Sequence, residues 1–422
     1  MLRKKFLSIS SYTLLAGLIV LFLLTHSPNY TQFDAPSYIN FDPIRPPLYP
    51  IFLWLFHWVG HYQFTVVVWI HAIITFLALL YTRSWLRKNL NINDFLIFIV
   101  LLFTILTICF HFQFILIGSE GLVFPFFIWT FFAFIECFKK FSIKKIIYLS
   151  LWVSIMILTR LQFYYFYGIY ILLCGSYIYK KIPLKSLFIG ILILSMSTLL
   201  TYLIDSTYHY FKHGFFGGAP ATGLLISVQP LFLANDNEIN NAFKDPKEKK
   251  YVQAILAEIN QQQLNKDANL LTSTKLSYYQ LAYESYNRNY PAINTITGNI
   301  LSKNTPTMIS KISLDIAKKL FLQNPQKNLL FLLWKFIVFI GGVPLFLFFL
   351  IITVGAASGI FIHRSVNYPQ LFVVMIILIT FLNAATIALF EINTTAYFCY
   401  TQFLFYCLAA YFSHQIFFNR SS

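Results

Sequence analysis

Acidic residues are scarce in this chain, so their positions are informative. Of 15 Asp and Glu residues among 422, seven lie outside the long polar segment in the second half of the chain. Five of these seven fall at ends of apolar runs that we predict to face the outer side of a membrane: Asp34, Asp42, Glu120, Asp205 and Glu391. A carboxylate at such a place can take a proton from a hydroxyl group, which is the task of a general base.

Basic side chains share that predicted side with the carboxylates. They are Arg45, Arg160 and Lys212, with six histidines at 26, 57, 61, 111, 209 and 213. Arg and Lys can stabilise the negative charge that develops on a departing phosphate. Because charges at a membrane edge are costly unless they are solvated or paired, their convergence indicates a functional site on the outer face.

The composition excludes most other classes of protein. Hydrophobic residues make up 58% of the chain and charged residues only 11%, which excludes a water-soluble enzyme. The net charge of +16 belongs to a chain too apolar for a nucleic-acid-binding protein. The five cysteines lie in apolar runs, and no CxxC or Cys/His spacing occurs. We therefore predict no metal ligands and no required cofactor, although a divalent ion remains an open alternative.

Apolar runs of membrane-spanning length recur along the chain. A window of about 19 residues finds ten of them, at 6–24, 62–82, 94–112, 119–138, 146–160, 162–179, 186–204, 336–360, 370–390 and 398–418. The sequence thus predicts an all-α polytopic membrane protein with about ten transmembrane helices. Arg160 and Gln162 form the only break between the fifth and sixth runs.

The basic residues set the predicted orientation. With the N-terminus inside, the cytoplasmic connections hold fifteen Lys and Arg residues, whereas the short outer connections hold only Arg45 and Arg160. Both termini are then cytoplasmic. A single helix through Arg160 would reverse every later loop, so the charge distribution supports a break there.

The predicted spans divide the chain into three parts. Residues 1–204 form a seven-helix membrane module with a first outer loop at 25–61, residues 205–328 form an outer segment, and residues 329–422 form a three-helix membrane module. In the outer segment, residues 214–234 are expected to be a loop at the membrane surface. Helices are expected to begin at Pro246, Pro306 and Pro325, the last running on into the eighth span. Their apolar stripes must pack on the membrane surface or on one another, as a small α-helical cap.

The first outer loop carries the most informative motif. Asp34 is followed by Tyr38 four residues on, and then by Arg45-Pro46-Pro47-Leu48-Tyr49-Pro50. Here the chain resembles the GT-C superfamily of polyprenyl-phosphate-sugar-dependent glycosyltransferases, in particular proteins similar to bacterial protein mannosyltransferases and the aminoarabinose transferase. Those proteins place an acidic residue in this loop, often with a Tyr four residues on, before an R/K-P-P-x-Y-P stretch.

The resemblance extends more weakly through most of the chain. Ser119-Glu120, Leu158-Thr159-Arg160 and Asn324-Pro325 resemble the S-E, L-T-R and N-P pairs or triplets of the family. One departure is clear. The family commonly carries an R-Y pair near the last outer loop, whereas Tyr397 here follows Ala396.

The resemblance implies a membrane glycosyltransferase in a bacterial inner membrane, with its site on the periplasmic face. It would move a sugar, with inversion, from an undecaprenyl-phosphate donor to an extracytoplasmic glycan, lipid or protein acceptor. The implied roles are Asp34 as base with Glu120 as a second catalytic carboxylate, Arg45, Arg160 and Lys212 as phosphate ligands, and Tyr38, Tyr49, Asp42 and Tyr397 as substrate contacts.

Simpler interpretations stay open at this point. Asp34 would also suit the N-cap of a short helix over 35–40, and Ser119 with Glu120 would suit the start of any helix. Arg160 would suit an interfacial anchor. An O-antigen polymerase or ligase would share about ten helices and a large outer loop but would depend mainly on outer Arg and His. A lipid or solute transporter would place polar residues at mid-membrane, where His71 is the main example.

Two further charged residues, Lys335 and Glu136, are expected to have local roles. Lys335 beside Trp334 is expected to extend its amine to the membrane interface, and Glu136 is expected to pair with Lys139 or Lys140.

Overall fold

The fold is all-α, as the apolar runs predict. A computed structural model describes residues 2–31, 34–111, 114–220, 222–266, 278–363, 367–391 and 399–418. Within these ranges the chain forms 18 α-helices and two short 3-10 helices, at His57–Tyr62 and Leu161–Tyr165.

Nine helices precede the polar segment. They are α1 (Leu2–Thr25), α2 (Ala35–Ile39), α3 (Leu48–Trp54), α4 (Gln63–Leu90), α5 (Asp94–Phe110), α6 (Glu120–Lys139), α7 (Ile143–Thr159), α8 (Phe166–Tyr179) and α9 (Leu184–His213).

The other nine run from the polar segment to the end of the described chain. They are α10 (Thr222–Leu233), α11 (Asp236–Ala242), α12 (Pro246–Gln261), α13 (Tyr278–Leu301), α14 (Pro306–Gln323), α15 (Pro325–Ile340), α16 (Val343–His363), α17 (Tyr368–Phe390) and α18 (Cys399–Phe417).

Several helices are long and apolar enough to cross a membrane, which indicates a multi-pass membrane protein. Four of the described stretches meet this condition: His57–Leu90, Glu120–Lys139, Leu184–His213 and Tyr368–Phe390. A fifth is added if α15 and the first part of α16 are one broken span. Helices fall within all ten predicted apolar runs, but the run at 336–360 is divided between α15 and α16. Several of these helices are shorter than a bilayer requires, such as α8 with 14 residues. The described helices therefore support four or five membrane spans.

The predicted break at Arg160 is confirmed. Helix α7 ends at Thr159, and Arg160 has extended backbone angles (φ −155°, ψ 123°) before the 3-10 helix at Leu161–Tyr165. The helix from Pro325 runs into the predicted eighth span, as expected, but it ends at Ile340, so a single helix does not cover 336–360. Gly341 and Gly342 both have positive φ, a conformation that only glycine adopts at little cost, and the chain bends by 80° between α15 and α16.

The polar segment folds as predicted at its helix starts. Helices α12, α14 and α15 begin at Pro246, Pro306 and Pro325, and the Thr305 hydroxyl accepts a hydrogen bond from the Met308 amide. Their apolar stripes pack on one another, with Ile255, Ile259, Ile316 and Leu320 in a shared core.

The expectation of a surface loop over 214–234 is wrong in part, because Thr222–Leu233 forms α10. Val228, Leu231 and Phe232 on that helix are fully buried in the same core. Burial of this apolar face outweighs the weak local helix preference of a Gly- and Pro-rich stretch.

The contacts divide the chain into two compact units. The first comprises Met1–Asp205, Phe348–Asn383 and Thr394–Ser422, and the second comprises Ser206–Leu347 and Ala384–Asn393. The second unit contains the core formed by α10 to α15. The first unit contains the residues of the candidate site.

Candidate active site

The first outer loop is held beside the segment that precedes α6. The Asn29 amide donates a hydrogen bond to the Ile115 carbonyl at 2.8 Å, and the Ile117 amide donates to the Asn29 carbonyl at 2.9 Å. This short bridge ties the start of the loop to the residues just before Ser119. Residues about 80 positions apart in sequence can therefore share one site.

Asp34 pairs with Arg45 within the loop. Its carboxylate Oδ1 lies 2.5 Å from Arg45 Nη2, and the carboxylate side chain is 45% exposed. Asp34 stands at the N-cap position of α2, but its side chain makes no capping hydrogen bond. The helix-cap interpretation of this carboxylate is thus wrong, since the side chain turns to the guanidinium.

Arg160 and Glu120 form a second pair, in the interior. The guanidinium Nη1 of Arg160 donates to Glu120 Oε1 in a short contact, and the two side chains are only 9% and 8% exposed. The same nitrogen donates to Ser119 Oγ at 3.0 Å. Ser119 does not cap α6 through its hydroxyl, which instead serves this arginine. Arg160 is therefore more than an interfacial anchor.

Tyr38 joins the two pairs. Its hydroxyl donates to Ser119 Oγ at 2.9 Å, and the Arg45 guanidinium carbon lies 4.6 Å from the centre of its ring. Burial raises the pKa of the Tyr38 phenol, so the hydroxyl stays protonated and acts as a donor. A continuous set of contacts runs from Asp34 through Arg45, Tyr38 and Ser119 to the Arg160–Glu120 pair. We call these six residues the arginine network.

An aromatic layer packs against this network. Tyr49 is fully buried, with its ring centre 4.9 Å from that of Tyr38 and 5.8 Å from that of His71. Burial holds the pKa of the Tyr49 phenol well above its usual value. A Cβ built on Gly121 would lie 2.3 Å from Nδ1 of His71, so only glycine lets α6 approach the imidazole this closely. His71, predicted as a polar residue at mid-membrane, is thus packed beside the candidate site.

Tyr400 on α18 is a neighbour of the network that the sequence did not single out. Its side chain is fully buried against Phe127 and Phe163, within electrostatic range of Arg160. Its hydroxyl finds no hydrogen-bond partner among the described residues. The tyrosine named from the sequence, Tyr397, lies outside the described residues, three positions earlier. Nothing in local spacing distinguishes Tyr400 from the many other tyrosines of the chain.

The remaining predicted site residues fall elsewhere. Asp42 accepts a hydrogen bond from the Ile44 amide at 3.0 Å, which stabilises its own turn. Asp205 is buried in α9. Lys212 belongs to the second unit, and we place it in no site with the arginines. In the described part of the chain, no group of three or more His, Cys, Asp and Glu side chains could hold a metal ion.

The charges of the arginine network suit the binding of an anion at its open end. Two guanidinium groups are balanced by two carboxylates, one pair buried and the other near solvent. The open pair presents both a cation and a potential base on one loop. Such an arrangement can bind an oxyanion and take a proton from a hydroxyl group beside it.

No known family model, curated protein or solved structure matches the chain. The functional proposal therefore depends on the sequence motifs and on the site geometry.

Proposed function

We propose that this protein is a membrane glycosyltransferase of the GT-C type. It transfers a sugar from an undecaprenyl-phosphate donor to a glycan, lipid or protein acceptor outside the cytoplasm. The observation that carries the proposal is the contact between Asp34 and Arg45 at 2.5 Å. It supports a site in which a carboxylate base and a phosphate-binding cation stand side by side.

The proposed reaction is a direct displacement. The acceptor oxygen attacks the anomeric carbon, the bond from that carbon to the phosphate oxygen breaks, and the bonding pair leaves with undecaprenyl phosphate. Asp34 takes the acceptor proton, and Arg45 stabilises the charge that grows on the phosphate. The buried Arg160–Glu120 pair adds a fixed cation behind Tyr38. A single displacement inverts the anomeric configuration.

The proposal includes the membrane arrangement. Ten spans would place both termini in the cytoplasm of a bacterium, with the first outer loop and the polar segment on the periplasmic face of the inner membrane. The distribution of basic residues supports this orientation. The shorter apolar helices, such as α5, α7 and α8, would then cross the membrane alongside longer neighbours.

The test is sugar transfer by purified protein from a panel of undecaprenyl-phosphate sugars. The Asp34→Asn variant keeps the shape of the side chain and removes the carboxylate. We expect it to lower turnover by at least about a hundredfold, the usual contribution of a general base. The control is Asp94→Asn, which breaks an Asp–Arg pair of similar geometry at 2.7 Å from Arg87 and should leave turnover unchanged.

Normal turnover by Asp34→Asn would show that the assigned base is wrong. It would favour the polymerase or ligase alternative, in which outer Arg and His side chains carry the reaction. Uptake or flipping of a labelled lipid by vesicles that transfer no sugar would favour a transporter.

A further inference from the structure

The guanidinium of Arg45 contacts Ser37 and Tyr38 on one side and Asp34 on the other. Its Nε donates to Ser37 Oγ at 2.8 Å, and its Nη1 lies 3.5 Å from the Tyr38 hydroxyl. Nη2 is the nitrogen that meets Asp34. Ser37 and Tyr38 belong to α2 and fix the orientation of the guanidinium, whereas the Asp34 side chain is 45% exposed.

The Asp34 carboxylate is held by the Arg45 guanidinium at 2.5 Å. The proposed reaction needs this carboxylate to turn to the acceptor hydroxyl. It also needs the same Arg45 to bind the donor phosphate. One guanidinium edge presents two N–H groups, so a carboxylate that occupies the Nη2 edge must leave it before a phosphate can bind there.

We propose that Arg45 exchanges partners in each catalytic cycle. The donor phosphate displaces Asp34 from the Nη2 edge, and this displacement releases the carboxylate to act as the base. The inference rests on the proposed function and adds a control to it, since the base becomes competent only when the anionic donor is bound.

The two arginine pairs differ in the way this exchange requires. The Asp34–Arg45 pair is partly exposed and therefore weak, so an oxyanion can replace the carboxylate readily. The Arg160–Glu120 pair is buried, and separating it would leave two charges without water or partner. Exchange is thus expected at Arg45 and not at Arg160. Tyr38 and Ser37 would keep the Arg45 guanidinium in place while its partner changes.

The test is equilibrium binding of undecaprenyl phosphate, which carries the phosphate but no sugar, to purified protein in detergent. In the parent, binding must displace Asp34. In Asp34→Asn the neutral amide competes less for Arg45, so we expect binding about fivefold tighter, the equivalent of one partly exposed ion pair. Asp34→Ala should give the same gain and guards against a local effect of the amide.

The decisive control is the same substitution in an Arg45→Gln background. If the gain acts through Arg45, Asp34→Asn should change binding by less than about twofold there, because the coupled partner is gone. A general effect of removing one negative charge would persist in that background and would overturn the proposal. Equal or weaker binding by Asp34→Asn in the parent background would overturn it as well.

Failure of the exchange and failure of the transferase assignment are distinguishable. Binding is measured without turnover, so a gain through Arg45 in a protein that transfers no sugar would support the exchange and refute the transferase. Asp34-dependent sugar transfer without any gain in binding would support the transferase and refute the exchange.

Discussion

The two arginine–carboxylate pairs should contribute very unequally to stability, because they differ in burial. Arg160 and Glu120 are 9% and 8% exposed, whereas Arg45 and Asp34 are 19% and 45% exposed. Removing one partner of a buried pair costs about 3–5 kcal/mol, whereas an exposed pair contributes about 0–1 kcal/mol. We expect Glu120→Gln to lower the free energy of unfolding by about 3 kcal/mol, the lower value because Ser119 still accepts from Arg160. Asp34→Asn should lower it by less than about 1 kcal/mol.

In the assay, purified protein in one detergent is heated, and the fraction that remains monodisperse is measured at each temperature. For a chain of this length, about 3 kcal/mol corresponds to a fall in Tm of about 3 °C. The double variant Glu120→Gln with Arg160→Gln should recover part of that loss, because the unpaired buried charge is gone.

Three results would refute this reasoning. The first is a Glu120→Gln variant with the Tm of the parent. The second is a fall in Tm of Asp34→Asn as large as that of Glu120→Gln. The third is a double variant no more stable than Glu120→Gln alone. The first two would show that burial does not set the strength of these pairs. The third would show that the unpaired guanidinium is not the source of the loss.

Three further predictions follow from contacts in the first unit. Gly121→Ala places a Cβ against the His71 ring and should reduce the yield of folded protein, and His71→Ala in the same chain should restore it. Tyr400→Phe removes a buried hydroxyl with no partner among the described residues, so Tm should not fall, while sugar transfer should fall if that hydroxyl contacts the substrate. Glu136→Gln removes the carboxylate that accepts from Lys145 at 2.7 Å and should lower Tm, and Lys145→Met should give a similar fall.

Much of the fold is readable from sequence because its signals are local. The apolar runs of membrane-spanning length fall on helices, and a polar residue before Pro marks the start of α14 and of α15. The break at Arg160 is also local, since a polar pair interrupts an apolar run. The bend after α15 was missed because Gly341 and Gly342 stand within a long apolar run, where glycine does not by itself end a helix.

Long-range pairing is where sequence reasoning fails. Lys335 was expected to reach the interface, but it is fully buried, with Nζ 3.2 Å from the Tyr286 hydroxyl and 3.4 Å from Gln229 Oε1. These partners lie 49 and 106 residues earlier in the chain. Glu136 likewise accepts from Lys145 at 2.7 Å, a partner nine residues further along the chain that the sequence did not indicate. A local pattern shows that a charge exists but not which distant group neutralises it.

The candidate site combines both kinds of information. The order of Asp34, Tyr38 and Arg45 suggested a common loop, and the structure adds that Tyr38 connects this loop to Ser119. The partnership of Arg160 with Glu120 was not predicted, although each had been singled out. Tyr400 was missed altogether, because its relevance comes only from packing against residues of other helices.

The arginine network contains two arginines and two carboxylates and so has no net charge. This balance explains why the carboxylate proposed as the base is found paired with a cation. Two guanidinium groups in a largely buried network would be unstable without anions, and Asp34 and Glu120 supply the balancing charge within the chain. Because both arginines are already paired, an anionic ligand must displace a carboxylate and cannot simply bind an unpaired guanidinium. Of the two pairs, only Asp34–Arg45 is exposed enough to separate at low cost, so the proposed exchange would displace Asp34, the proposed base, without loss of the fold.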